Sequence, residues 1–211
     1  MIPVKICGIT RAKDAHLAAR LGAAALGFIF FPPSPRYIAP DRARAVADAI
    51  DGRIRKVGVF VNMPLEEINA IVDEVGLDLV QLSGDEPPEA CQGIAVPVIK
   101  TFHVGADFNP ATTHPYDVLA VLLDTSQTGS YGGTGRTFEW SQVNRDVFTC
   151  PLILSGGLTP ENILDGIEIV RPDAVDVNSG VEASPGVKDQ ARLEHLFDIL
   201  KNTEAGGEQV F

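Results

Sequence analysis

The sequence predicts an α/β fold, and within that class a single-domain closed barrel of eight strand–helix units, a (β/α)8 or TIM barrel. Three observations predict it. Eight short β-rich runs recur along the chain, helical periodicity separates several of them, and 211 residues are enough for eight such units with few insertions. The runs are apolar almost throughout rather than alternating, which is the pattern of parallel strands covered on both faces.

The runs are "VKIC" (4–7), "ALGFIF" (25–30), "KVGVFV" (56–61), "LDLVQL" (77–82), "VPVIK" (96–100), "VLAVLLD" (118–124), "PLILS" (151–155) and "DAVDV" (173–177). Before the third, Ala43, Val46, Ala47 and Ile50 follow the i, i+3, i+4, i+7 spacing of one helix face. After it, Pro64 precedes a stripe of Leu65, Ile68, Val72 and Val75. Thr159 and Pro160 read as N-cap and first residue of a further helix. Leu193, Leu196, Phe197 and Leu200 stripe the last one. The segments after runs four and five are weakly helical, because Pro87, Pro88 and Pro110 intrude. The barrel is expected over residues 1–202, with 203–211 a flexible tail.

Charge narrows the function. Lys and Arg number 17 against 28 Asp and Glu, a formal charge of −11, which argues against a nucleic-acid partner and an anionic membrane surface. No apolar stretch reaches the ~18 residues of a membrane span. The start, "MIPVKICGITRAKD", lacks the pattern of a secretory signal. Cys7, Cys91 and Cys150 have no metal or redox spacing, so reduced thiols in a cytoplasm are expected. His16, His103, His114 and His195 form no ligand cluster, and neither metal nor cofactor is expected. No wide apolar stripe is left once a core is assigned, so a monomer is expected.

In such a barrel the active site lies at the C-terminal strand ends. Run six ends at Asp124 and enters "TSQTGSYGGTGRTF" (125–138). That loop is not a P-loop: Ser130 stands where the first Gly belongs and Arg136 where the Lys belongs. The dinucleotide pattern fails at Phe138. A mobile surface loop and a lid over Asp124 both remain open, and a lid that excludes water would raise the pKa of a general acid. Runs seven and eight lead into Gly156-Gly157 and Ser179-Gly180, where barrels of this class commonly seat a phosphate on backbone N–H groups. Cys7, at the end of run one, is a candidate base if a thiolate is stabilised there. Arg36, after two prolines and a serine, is a candidate fork for a substrate carboxylate. Lys5 shares parity with Cys7 and so points inward, and closure of the barrel would place Asp176 beside it as a structural partner.

Taken in series, "KICGIT", "GFIFFPPSPRYI", "KVGVFVN", "VQLSGDE", "LLDTSQTGSYGGTGRTFEW", "LSGGLTPENI" and "VDVNSGVEASPGVKD" resemble the phosphoribosylanthranilate isomerase family of tryptophan biosynthesis, from Val4 to about Asp189. The resemblance implies a cofactor-free Amadori rearrangement of a phosphorylated small molecule. Asp124 would be the general acid at the ribose ring oxygen and Cys7 the general base at C2′. Arg36 would receive the anthranilate carboxylate, and Gly156, Gly157, Ser179 and Gly180 the phosphate. The chain departs from the family pattern at Ser83, where "QLSG" replaces "QLHG", and in "LSGG" for "LAGG" and "VNSG" for "VSSG". Serine cannot carry an imidazole's charge or stack on a ring, so Ser83 leaves the role of that position open. The rival expectations are a related phosphosugar-processing barrel and a phosphate-ligand-binding barrel with an impaired site.

Overall fold

The computed structural model describes residues 1–50, 52–105, 107–125, 139–203 and 210–211. Eight parallel strands close into a barrel in chain order. They are β1 (Val4–Ile6), β2 (Ala25–Ile29), β3 (Arg55–Phe60), β4 (Leu79–Leu82), β5 (Val98–Val104), β6 (Ala120–Thr125), β7 (Leu152–Leu154) and β8 (Ala174–Val177). The ring closes where Val4, Lys5 and Ile6 pair with Val175, Asp176 and Val177. Five helices cover the outside: α1 (Ala12–Leu21), α2 (Pro40–Ala47), α3 (Leu65–Val75), α4 (Ile163–Val170) and α5 (Gln190–Leu200). Between β8 and α5, β9 (Glu182–Ser184) and β10 (Val187–Lys188) form a small antiparallel hairpin.

After β4 and β5, short 3₁₀ turns at Pro88–Cys91 and Pro110–Thr113 stand where other units have helices. Pro88 and Pro110 each stand at the first position of their turn, where no N–H is needed. The helix expected from Thr159 begins instead at Ile163. Asn162 holds the intervening turn: its Oδ1 accepts the Thr159 N–H at 2.8 Å and its Nδ2 donates to the Gly157 carbonyl at 3.0 Å. Helix α2 ends at Ala47, short of Ile50. Strand β5 runs past the expected Lys100 to Val104, which matters for the site.

Side chains alternate across each strand, so every second residue enters the barrel. At the bottom, Ala25, Val57, Leu79, Ile99, Leu122, Ile153 and Ala174 fill the interior, and Val210 joins them at 3% exposure. The chain's last two residues thus pack against the barrel, although 204–209 fall outside the described residues. Higher up the interior turns polar, with Lys5, Gln81, Thr101 and Asp176 all buried. The outward residues, among them Phe28, Phe30 and Phe60, lie beneath the helices, each contributing about 1.5–3 kcal/mol by leaving water. Phe30 and Phe60 stack with ring centroids 5.2 Å apart.

One outward charge ties the fold to the site. Lys100, 2% exposed, donates to Glu86 Oε2 at 2.9 Å and to the Gly84 carbonyl at 2.8 Å. Glu86 in turn accepts the N–H groups of Asn62 and Gly84. A buried pair this well bonded fixes geometry more than it adds stability. Here it ties the loops after β3 and β4 to β5. Among the described residues, no helix is long and apolar enough to cross a membrane.

Candidate active site

The C-terminal mouth holds one pocket, lined by the ends of all eight strands, and it brings together Cys7, Arg36, Ser83, Asp124, Gly156, Gly157 and Ser179. Gly180 adjoins it as the second residue of the turn Ser179–Val181. The loop 126–138, expected as the cover of Asp124, lies outside the described residues.

Cys7 is 4% exposed, and its N–H donates to the Val177 carbonyl at 2.9 Å, which holds the sulfur over the β1–β8 seam. Burial pushes the thiol above its ordinary value. Beneath it, Lys5 donates to Asp176 Oδ1 at 2.8 Å, the pairing expected from strand parity. Ser155 reaches the other carboxylate oxygen at 3.3 Å.

Asp124 ends β6 three strands from Cys7 around the ring. Its Oδ1 accepts the Thr125 N–H at 2.7 Å. Burial pushes its pKa up to about 6, against the pull of that N–H and of His103, with Asp176 adding to the rise. A carboxyl titrating there is suited to give up a proton near neutrality. The shift also predicts a stability effect. The folded pKa lies above the unfolded one, so Asp124 favours the folded state only while protonated, and that contribution is lost as pH rises from about 4 through about 6. Asp124→Asn, which removes the charge and keeps the shape, is therefore expected to stabilise the protein by up to ~3 kcal/mol at pH 8 and by nothing below pH ~4. Thermal unfolding at the two pH values checks this.

Arg36 is not a free fork. Its Nε and Nη2 grip Glu182 at 2.8–3.1 Å. Burial would raise the Glu182 carboxyl, but Arg36 and Lys188 bind its charged form and hold it below the usual range. Lys188 Nζ bonds Glu182 Oε1 at 3.0 Å, Asn178 Oδ1 at 3.0 Å and the Asn178 carbonyl at 3.2 Å. Arg36 also lines the pocket, where a planar guanidinium is matched to a carboxylate.

The two glycine loops are pressed together. A Cβ on Gly180 would lie 1.9 Å from the Leu158 carbonyl oxygen, and one on Gly156 would lie 2.4 Å from Thr125 Oγ1 and 2.9 Å from Asp124 Oδ1. Gly156 and Gly157 adopt left-handed φ of 85° and 65°. No turn or loop bond among the described residues uses the N–H groups of Gly157, Ser179 or Gly180.

Ser83 does not project into the pocket unengaged. Its Oγ bonds Gln81 Nε2 and Thr101 Oγ1, both at 3.0 Å. His103, which pairs in register with Asp124, brings an imidazole to the same wall, with Nε2 3.4 Å from the Ser83 carbonyl. Gln81 Oε1 is buried with no hydrogen-bond partner among the described residues.

The model of the family described as N-(5′-phosphoribosyl)anthranilate (PRA) isomerase matches residues 4–199. The chain belongs to this family. It is 46% identical over 201 residues to the N-(5′-phosphoribosyl)anthranilate isomerase of Geobacter sulfurreducens, covering 95% of this chain and 99% of the relative. The phosphoribosyl anthranilate isomerase of Thermus thermophilus superimposes with a TM-score of 0.87 at 40% identity, over 95% of this chain and 98% of that one. A phosphoribosyl anthranilate isomerase in complex with reduced 1-(o-carboxyphenylamino)-1-deoxyribulose 5-phosphate superimposes with a TM-score of 0.83 at 40% identity, over 96% and 100%.

In this isomerase-family chain the residues lining the pocket are held by groups that sequence reasoning passed over, and one lining residue was passed over too. Glu182 and Lys188 lie 146 and 152 residues from Arg36, and no local signal links them to it. His103 did leave a signal. In "TFHV" the polar Thr101 and His103 alternate with apolar Phe102 and Val104, a strand with its polar face turned to a pocket.

Proposed function

We propose that this chain converts N-(5′-phosphoribosyl)anthranilate to 1-(o-carboxyphenylamino)-1-deoxyribulose 5-phosphate, with Asp124 as general acid and Cys7 as general base. The observation that carries this is a carboxyl raised to about 6 and a buried thiol on one pocket rim, in a chain of this family. Asp124 protonates the ribose ring oxygen. The C1′–O bond breaks, and the nitrogen lone pair forms a Schiff base. The Cys7 thiolate takes the proton from C2′, and those electrons neutralise the iminium to give an enolamine, which tautomerises to the ketone. Arg36 receives the anthranilate carboxylate, while Glu182 aims its guanidinium. The N–H groups of Gly157, Ser179 and Gly180 receive the phosphate.

The reaction needs no redox partner, since the aldose carbon is reduced as its neighbour is oxidised. It belongs to tryptophan biosynthesis, and with three free cysteines the chain suits a cytoplasm. Purified, metal-free protein is expected to turn over freshly prepared phosphoribosylanthranilate, followed by loss of its fluorescence. Tight binding of a reduced product analogue without turnover would replace this reading with a ligand-binding barrel. The exposed large apolar residues among those described, Met1, Tyr37, Leu164 and Ile169, are scattered, which favours a monomer. Sedimentation equilibrium at micromolar concentration tests it, and a dimer mass would overturn it.

A further inference from the structure

We propose that Lys5 is a positioning residue that holds the Cys7 sulfur as a thiolate, and not only a structural partner for Asp176. The inference rests on the reading of Cys7 as the base. Lys5 is fully buried, and it lies on the same inward face of β1 as Cys7. Gly27 of β2 shows how near the two groups come. A Cβ there would lie 2.8 Å from Cys7 Sγ and 3.1 Å from Lys5 Nζ, so sulfur and ammonium flank one point that only the missing side chain leaves open.

The protons can be counted. An ammonium carries three. Asp176 Oδ1 takes one from Lys5 at 2.8 Å, and the Cys7 sulfur is near enough to favour the same ammonium. The second cation near Cys7 has none to spare: the Nζ of Lys188 on β10 is engaged by Glu182 Oε1, Asn178 Oδ1 and the Asn178 carbonyl. Arg36 is turned to Glu182. Among the described residues, the remaining titratable groups lining the mouth are Asp124 on β6, His103 on β5 and Asp176 on β8.

Burial raises the Cys7 thiol, Lys5 pulls most strongly against that rise, Asp176 adds to it and Lys188 opposes it. The reaction needs Asp124 protonated while Cys7 is ionised. Burial works against the thiolate, so the fraction of enzyme with Cys7 ionised and Asp124 protonated depends on the charges beside Cys7, and any loss of thiolate lowers the rate in proportion. When the thiolate takes the C2′ proton it becomes a thiol, and Lys5 keeps its three protons throughout.

The test is the rate at which iodoacetamide alkylates Cys7 at pH 8, read by mass on the Cys7 peptide so that Cys91 and Cys150 do not contribute. Lys5→Met is expected to lower this rate tenfold or more. Asp176→Asn, which keeps the ammonium and removes the carboxylate charge, is expected to raise it. A purely structural pair would move both variants in the same direction, and that result, or a wild-type rate in Lys5→Met, overturns the proposal. If Lys5→Met unfolds because Asp176 is stranded, Lys5→Met/Asp176→Leu removes both charges and is expected to show a smaller loss in the same direction, since Lys5 outweighs Asp176 at Cys7. Alkylation reads the thiolate without turnover. Full activity in Cys7→Ala would remove the base role while leaving the ammonium–thiolate contact intact, so the two failures are distinguishable.

Discussion

Cys7→Ala and Asp124→Asn are each expected to lower kcat by about a thousandfold or more, while a reduced product analogue binds within about tenfold of the wild-type Kd. Proton transfer by a positioned side chain contributes roughly 10²–10⁴ in rate, and each of these groups handles a different proton of the same reaction. The groups proposed to bind the analogue are elsewhere: Arg36 after β2, and the glycine loops after β7 and β8. Loss of chemistry should therefore appear in kcat and not in analogue affinity. The two variants also separate by stability. Asp124→Asn should be inactive and more stable at pH 8, because the buried carboxylate it removes costs folding energy in order to titrate near 6. Near-wild-type kcat in either variant would show that its role has been misassigned.

Gly180→Ala is expected to lower kcat/KM by about a hundredfold and stability by about 3 kcal/mol. The added methyl would lie 1.9 Å from the Leu158 carbonyl oxygen, 2.9 Å from its carbonyl carbon and 3.0 Å from Thr159 Cα. All three are backbone atoms, so no rotamer change relieves the clash, and the loops after β7 and β8 must separate. Those are the loops proposed to share the phosphate. Gly52→Ala is the matched control, since nothing lies within 4 Å of a Cβ there. Its steady-state kinetics and unfolding should match the wild type, and equal losses in both variants would show that the loop contact is not the cause.

Most of the barrel was legible in the sequence because its signals are local. Each of the eight runs is a β-rich, largely apolar string, and each coincides with a strand to within a few residues. The boundaries that slipped did so for particular reasons. Helix α4 starts late because the Asn162 side chain holds a turn before it, within which Thr159 Oγ1 accepts the Glu161 N–H at 3.2 Å. Strand β5 extends beyond the run that ends at Lys100, and its added His103 lines the pocket. Cys7, Asp124 and the glycine pairs were legible because they stand at strand ends, and the fold rule converts a strand end into a place on the rim.

By itself the sequence determined the number and order of the strands, the shared inward face of Lys5 and Cys7, and the strand ends where chemistry can occur. Period-two alternation and turn residues act over a few positions, and so can be read from them. Only the tertiary structure decided that Arg36 is aimed by Glu182, that Lys188 is consumed by Asn178 and Glu182, that Lys5 lies between Asp176 and the Cys7 sulfur, and that burial carries Asp124 to about 6. Those contacts join residues up to 171 positions apart, and they exist because closing the barrel removes water from both at once. The strength of a charge interaction depends on that loss of water and on the distance across the closed ring, and neither is set by neighbours along the chain.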